Sequence, residues 1–99
     1  MDVAKFSVHH ATDRNCFEIT IQGRTAVLDY TRFGSMILFT HSGVPSALEG
    51  QGIGSKLARA GLEYARENSL TVRTTCWFVR DFLKRHPEYN DLLEAKTAE

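Results

Sequence analysis

Between residues 17 and 21 apolar side chains take every second position. Phe17, Ile19 and Ile21 alternate with Glu18 and Thr20, the period of a strand with one face buried. Residues 5–9 alternate in the same way, and residues 11–15 are rich in turn formers. Gln22-Gly23-Arg24 marks the next turn, after which Ala26, Leu28 and Tyr30 alternate with Thr25, Val27 and Asp29. Following a break at Arg32-Phe33-Gly34-Ser35, residues 36–40 are apolar on both faces, as expected of a central strand. Connections this short predict an antiparallel meander.

The period then changes. Leu57, Ala58, Gly61, Leu62 and Ala65 fall on one helical stripe, while Lys56, Arg59, Glu63, Arg66 and Glu67 fall on the other side. This predicts an amphipathic helix from about Gly54 to a left-handed capping residue at Asn68. Residues 70–76 are rich in β-branched side chains and read as another strand, so strand, helix and strand in succession imply a parallel crossover. Phe78, Val79, Phe82 and Leu83 repeat the helical stripe, His86-Pro87 interrupts it, and Leu92-Leu93 anchor one last turn before a polar tail from Lys96. The fold class is therefore α+β.

Ninety-nine residues allow one domain, with its core within residues 5–93. Apolar residues at 42% and charged residues at 24% describe a chain that folds rather than a disordered or fibrous one. Twelve basic side chains balance twelve acidic ones, so no global field recruits nucleic acid or an anionic membrane, and any anion must be bound by local geometry. Apolar runs are far below the ~20 residues of a spanning helix, and the first residues lack the order of a signal peptide, so a cytoplasmic protein is expected. Cys16 and Cys76 are too few for a disulfide scaffold, and the four histidines lack companions at ligand spacing, so no metal site is expected. A domain this small is marginally stable, and a monomer or weak dimer is expected.

Three of the seven glycines crowd into Glu49-Gly50-Gln51-Gly52-Ile53-Gly54, between a buried strand and the helix it feeds. Glycine admits positive φ and close backbone approach, and a first helical turn leaves N–H donors unpaired beside a partial positive charge. Together these make a cradle for a phosphate or pyrophosphate. The competing reading is a plain flexible loop with a glycine or Ser55 as helix cap. Neither a dinucleotide fingerprint nor a Walker loop is present.

The segment Val44-Pro45-Ser46-Ala47-Leu48-Glu49-Gly50-Gln51-Gly52-Ile53-Gly54-Ser55-Lys56-Leu57 resembles the acetyl-coenzyme A signature of the GNAT superfamily of N-acetyltransferases. Thr75-Cys76-Trp77-Phe78-Val79-Arg80-Asp81-Phe82, with Arg85-His86-Pro87-Glu88-Tyr89, is similar to the small, single-domain, YjdJ-like branch. The resemblance implies a GNAT-like fold with splayed strands. It assigns the pyrophosphate to the N–H groups of Gln51, Gly52, Ile53, Gly54 and Ser55, with Gly50 allowing close approach. It also implies that the strand ending at Val44 pairs with the pantetheine arm, that the thioester lies between this strand and the one ending at Cys76, and that an N–H near Val44 meets the thioester carbonyl.

The chain departs from the superfamily pattern in three places. Glu49 stands where Arg or Gln is usual, partly offset by Lys56, and Leu83 stands where a tyrosine acid is often found. A mere turn at residues 11–15 replaces the helices that usually wall the acceptor site, which suits a protein or peptide amine better than a small metabolite, or else a site completed by a second subunit. The resemblance sets Cys76 at a strand end beside the thioester and close to a helix start, where a thiol pKa falls. Cys76 then either takes the acetyl group covalently or acts as acid or base in direct transfer; the competing reading is a buried structural cysteine. His41 follows the central strand and would face the same gap as a base, or else be a hydrogen-bonded structural histidine. His86 reads as closing its helix, and His9 and His10 as surface or edge residues. Trp77, Phe78 and Phe82 read chiefly as core, with Phe82 the one given a chance of touching the ligand.

The function expected is an N-acetyltransferase moving acetyl from acetyl-coenzyme A to an amine, with Cys76 and His41 in the chemistry. A non-catalytic sensor of coenzyme A or its acyl esters is the alternative, favoured by the missing tyrosine and acceptor wall. A plain interaction domain with an empty loop is the third.

Overall fold

The computed structural model describes residues 7–93. Five strands, β1 (His9–Ala11), β2 (Cys16–Ile21), β3 (Arg24–Phe33), β4 (Met36–Gly43) and β5 (Thr71–Thr74), form one sheet in sequence order. Pairing is antiparallel from β1 to β4 and parallel between β4 and β5, as the crossover requires. Lys5 and Phe6, assigned to the first strand, and the tail from Lys96 lie outside the described residues. The β2–β3 turn is two residues, with Gln22 at φ 53 and Gly23 at φ 80, the left-handed pair that matches strand twist. The break expected from Arg32 is narrower, since β3 runs through Phe33 and only Gly34-Ser35 turn the chain.

Helix α1 (Ile53–Glu67) lays Ile53, Leu57, Ala58, Leu62 and Ala65 against the sheet. Each buried leucine or isoleucine is worth about 1.5–3 kcal/mol. Gly61 is the point of closest approach, because a Cβ there would lie 2.8 Å from Phe39 Cε1. The helix does not end on a left-handed Asn68. Asn68 has φ −106, and Ser69, at φ 56, takes that conformation instead. The Leu70 N–H then reaches the Ala65 carbonyl at 2.8 Å and the Ser69 N–H the Arg66 carbonyl at 3.3 Å, both bonds of a Schellman cap.

Helix α2 (Trp77–Arg85) follows β5, and a 3-10 turn, Pro87–Leu92, returns to α1, where buried Tyr89 accepts from Arg59 and donates to Glu63. Phe17, Ile19, Leu28, Tyr30, Ile37, Phe39 and Val72 face the helices in one apolar cluster. On the other face Val27, Leu38 and Asp29 are only half-buried, so residues 36–40 are apolar on two sides although one side alone is sealed. No helix among the described residues is long and apolar enough to cross a membrane.

Candidate active site

Two local events at the ends of β4 and β5 create the site. The first separates the strands. The Phe39 carbonyl accepts from both the Thr75 N–H and the Thr74 hydroxyl, each at 3.0 Å, and the Thr74 oxygen in turn accepts the Cys76 N–H at 2.9 Å. This side-chain bond terminates the ladder at Phe39–Thr74 while β4 continues to Gly43. Cys76 becomes the cap residue of α2.

The second event is a bulge. Tyr30 pairs with Phe39, but Asp29 pairs with His41, leaving Thr40 as the extra residue, its hydroxyl on the Asp29 carbonyl at 3.4 Å. A bulge reverses the alternation beyond it. Ser42 therefore pairs with Leu28 on the helix-covered face, and His41 pairs with Asp29 on the open one, Nδ1 lying 3.4 Å from the Asp29 carboxylate. The structure places His41 outside the gap it was expected to face and puts Ser42 there.

A cleft of about 390 Å³ opens between the β4 end, the glycine loop and the α2 start. Val44, Gly50, Gly52, Ile53, Gly54 and Ser55 line it, as do Ser42, Leu48, Glu49, Trp77 and Phe78. Gln51 and Lys56 flank the lining residues. Gly50 (φ 84) and Gly52 (φ 76) are left-handed on either side of Gln51, whose φ is not positive, so the two glycines supply the conformations this turn requires. Gly52 caps α1 without any side-chain acceptor, and its carbonyl receives the Lys56 N–H at 3.0 Å. Among the described residues, none of the N–H groups of residues 50–55 donates to a backbone carbonyl, so these donors stand open to the cleft with the helix dipole behind them. Next to them the Gln51 amide oxygen is buried without a partner. A buried, unpaired amide oxygen is costly, and a cleft built to receive a polar ligand is where such a group is retained. This donor set fits a diphosphate, and the Glu49 carboxylate at the rim is the one feature that opposes it.

Cys76 is 7% exposed, with its Sγ 3.4 Å from Ser42 Oγ across the strand gap. Burial raises its thiol pKa, but the Ser42 hydroxyl and the N–H groups of Val79, Phe78 and Ser42 outweigh burial and leave it below the ordinary thiol range. No side-chain hydrogen bond of full cap geometry forms, so the Val79 and Phe78 groups act on the sulfur as aligned dipoles. Cys16 behaves oppositely: burial, then the Glu18 charge, raise its thiol.

Two aromatic expectations are corrected. Trp77 is not core but 73% exposed at the cleft rim, edge-on to Phe78. Phe82 is fully buried, stacked 4.0 Å from His86, and does not reach the cleft. His10 lies on the edge strand β1, as expected, and is half-buried there, stacked 4.1 Å from Phe17 with Nε2 2.6 Å from Tyr30 Oη. Ser42 and Trp77 escaped the sequence reading. A two-residue interval from Phe39 points away from Ser42, and an aromatic on a helical stripe reads as core.

A model of the GCN5-related N-acetyltransferase family matches residues 16–92. Protein NATD1 of Bos taurus is 36% identical over 83 residues, spanning 81% of this chain and 74% of that protein. Protein NATD1 of Danio rerio is 33% identical over 90 residues, 86% of this chain and 82% of that one. The solution NMR structure of a GCN5-like protein from Staphylococcus aureus superimposes with a TM-score of 0.71 at 30% identity, covering 89% of this chain and 87% of the other. With a family match over most of its length, relatives above 30% identity and a fold shared with a solved structure, this chain belongs to the GCN5-related N-acetyltransferase family.

Proposed function

We propose that the protein transfers an acetyl group from acetyl-coenzyme A to an amine, with a protein or peptide as the acceptor. The observation that carries this reading is the row of open N–H groups at residues 50–55, facing a cleft that leads to the Ser42–Cys76 gap. In this reading the loop donors hold the pyrophosphate, Val44 borders the pantetheine arm, and the thioester reaches the place where β4 and β5 part.

The transfer replaces the thioester C–S bond with an amide C–N bond. In direct transfer a deprotonated amine attacks the carbonyl carbon, the departing coenzyme A thiolate takes the Cys76 proton, and the proton shed by the new amide nitrogen restores the Cys76 thiol. In the covalent route the Cys76 thiolate attacks first, the coenzyme A sulfur leaves with the proton Cys76 gave up, and the amine then displaces Cys76. Both routes use the lowered thiol pKa. The half-covered sheet face agrees with an acceptor too large for an enclosed pocket.

Calorimetric titration with acetyl-coenzyme A, followed by mass spectrometry with and without a panel of amines and peptides, tests the proposal. Saturable binding and amine-dependent release of free thiol are expected, with Cys76→Ala slowing release by at least about 100-fold if the residue serves as acid or nucleophile. Absence of binding at millimolar ligand would overturn the reading. A sensor of acyl-coenzyme A is the second reading, and buried Leu83, where a tyrosine acid is often found, favours it. Binding with no turnover across the panel would establish that alternative.

A further inference from the structure

We propose that Ser42 is a positioning residue whose hydroxyl holds the Cys76 sulfur across the β4–β5 gap and stabilises it as the thiolate. The proposal rests on the acyl-transfer reading above and adds to it a residue that the glycine loop and the Cys76 segment do not contain.

The bulge decides which way Ser42 faces. Were β4 regular, Phe39, His41 and Gly43 would share one face and Ser42 would look away from the helices. The extra Thr40 reverses this, setting Ser42 beside Leu28 on the helix-covered face and Oγ 3.4 Å from Cys76 Sγ. The two residues lie 34 positions apart, beyond the last paired rung of β4 and β5, so the Ser42 hydroxyl and the Ser42 N–H beside it are what link β4 to the sulfur. Ser42 also lines the cleft, so its hydroxyl stands between the ligand space and a thiol that is itself almost sealed from water. A buried thiolate needs donors. The hydroxyl proton supplies one that rotates to the sulfur whenever charge develops there.

The role is the same in both routes. Cys76 passes through the thiolate in either case: by protonating the departing coenzyme A sulfur in direct transfer, or by ionising before it attacks in the covalent route, from which one proton leaves with coenzyme A. The Ser42 O–H bond stays intact and donates to that sulfur throughout. Ser42 therefore acts through Cys76.

The test compares wild type, Ser42→Ala and Ser42→Thr by the pH dependence of iodoacetamide alkylation at Cys76, read by peptide mass spectrometry. Cys16, 4% exposed, serves as an internal measure of folding, because a chain that had lost its structure would alkylate there too. Ser42→Ala should move half-maximal Cys76 alkylation to higher pH and slow it about five-fold at pH 7, the worth of one net hydrogen bond. Ser42→Thr, which keeps the hydroxyl, should restore the wild-type profile. An unchanged profile in Ser42→Ala, or an equal shift in Ser42→Thr, would overturn the proposal. These profiles need no ligand. A failure of acetyl-coenzyme A to bind would therefore remove the acyl-transfer reading and leave the alkylation result standing by itself.

Discussion

Gly54→Ala tests whether the start of α1 is a ligand surface or an ordinary helix end. A Cβ at Gly54 would lie 2.9 Å from Phe78 Cζ and 3.3 Å from Cε2, against the ~3.5–4.0 Å of a relaxed carbon contact. The ring must therefore retreat by about 0.6 Å, and it has room to do so because Phe78 is only half-buried and borders the cleft. Alanine in a helix is better than glycine by about 1 kcal/mol, which offsets most of the displacement. Folding stability should stay within about 1 kcal/mol of wild type. The displaced ring and the new methyl would instead narrow the cleft above the Gly54 N–H. Acetyl-coenzyme A affinity should fall by at least about ten-fold, or about 1.4 kcal/mol. Gly61→Ala is the control with the opposite balance. There the Cβ would meet Phe39 Cε1 and Cζ at 2.8 and 2.9 Å and Leu28 Cδ2 at 3.2 Å, and those side chains are 0% and 1% exposed, with nowhere to go. Overpacking of about 1–3 kcal/mol against a gain of about 1 leaves a net cost of up to about 2 kcal/mol, and the sealed neighbours put that variant toward the upper end. Urea titration for stability and calorimetry for affinity separate the two. Wild-type affinity in Gly54→Ala would refute the assignment of this turn to the ligand, and a stability loss as large as that of Gly61→Ala would refute the argument from neighbour mobility.

Two further outcomes follow from the packing. Ser69→Gly should stabilise the chain by about 0.5–1 kcal/mol in urea, because Ser69 holds the left-handed position of the α1 cap at φ 56, where a Cβ is strained; no gain would mean the cap is unstrained. His10 has its pKa lowered below 6.5, by burial first and then by the charge of His9. The unfolded chain therefore takes up its proton at higher pH than the folded one. This contribution to stability is complete above about 6.5 and is lost as pH falls from there through the folded pKa, because the charged imidazole is disfavoured by burial and by His9. In His10→Gln the drop in urea midpoint between pH 7.5 and 5.5 should shrink, and an unchanged drop would assign it to other groups.

Much was legible along the chain. The period-2 runs, the stripe from Leu57 to Ala65 and the glycine turn between them each depend on residues within about ten positions, and the sheet order and parallel step followed from them. The resemblance at residues 44–57 and 75–89 pointed to the family that the comparisons then showed. Errors fell where the deciding partner was distant or the choice lay between near-equal neighbours. Ser69 rather than Asn68 became left-handed because that position lets Leu70 reach Ala65 and bury its side chain.

Periodicity by itself determined which stretches are strand or helix and where the open N–H groups gather, because hydrogen bonds and apolar stripes within an element are local. The tertiary structure alone decided which side chains meet at the cleft. One surplus residue in β4, accommodated against Asp29 on the neighbouring strand, reverses the facing of every position after it, and so sets Ser42 rather than His41 opposite Cys76. Alternation counts residues along one strand, whereas a bulge is a mismatch between two.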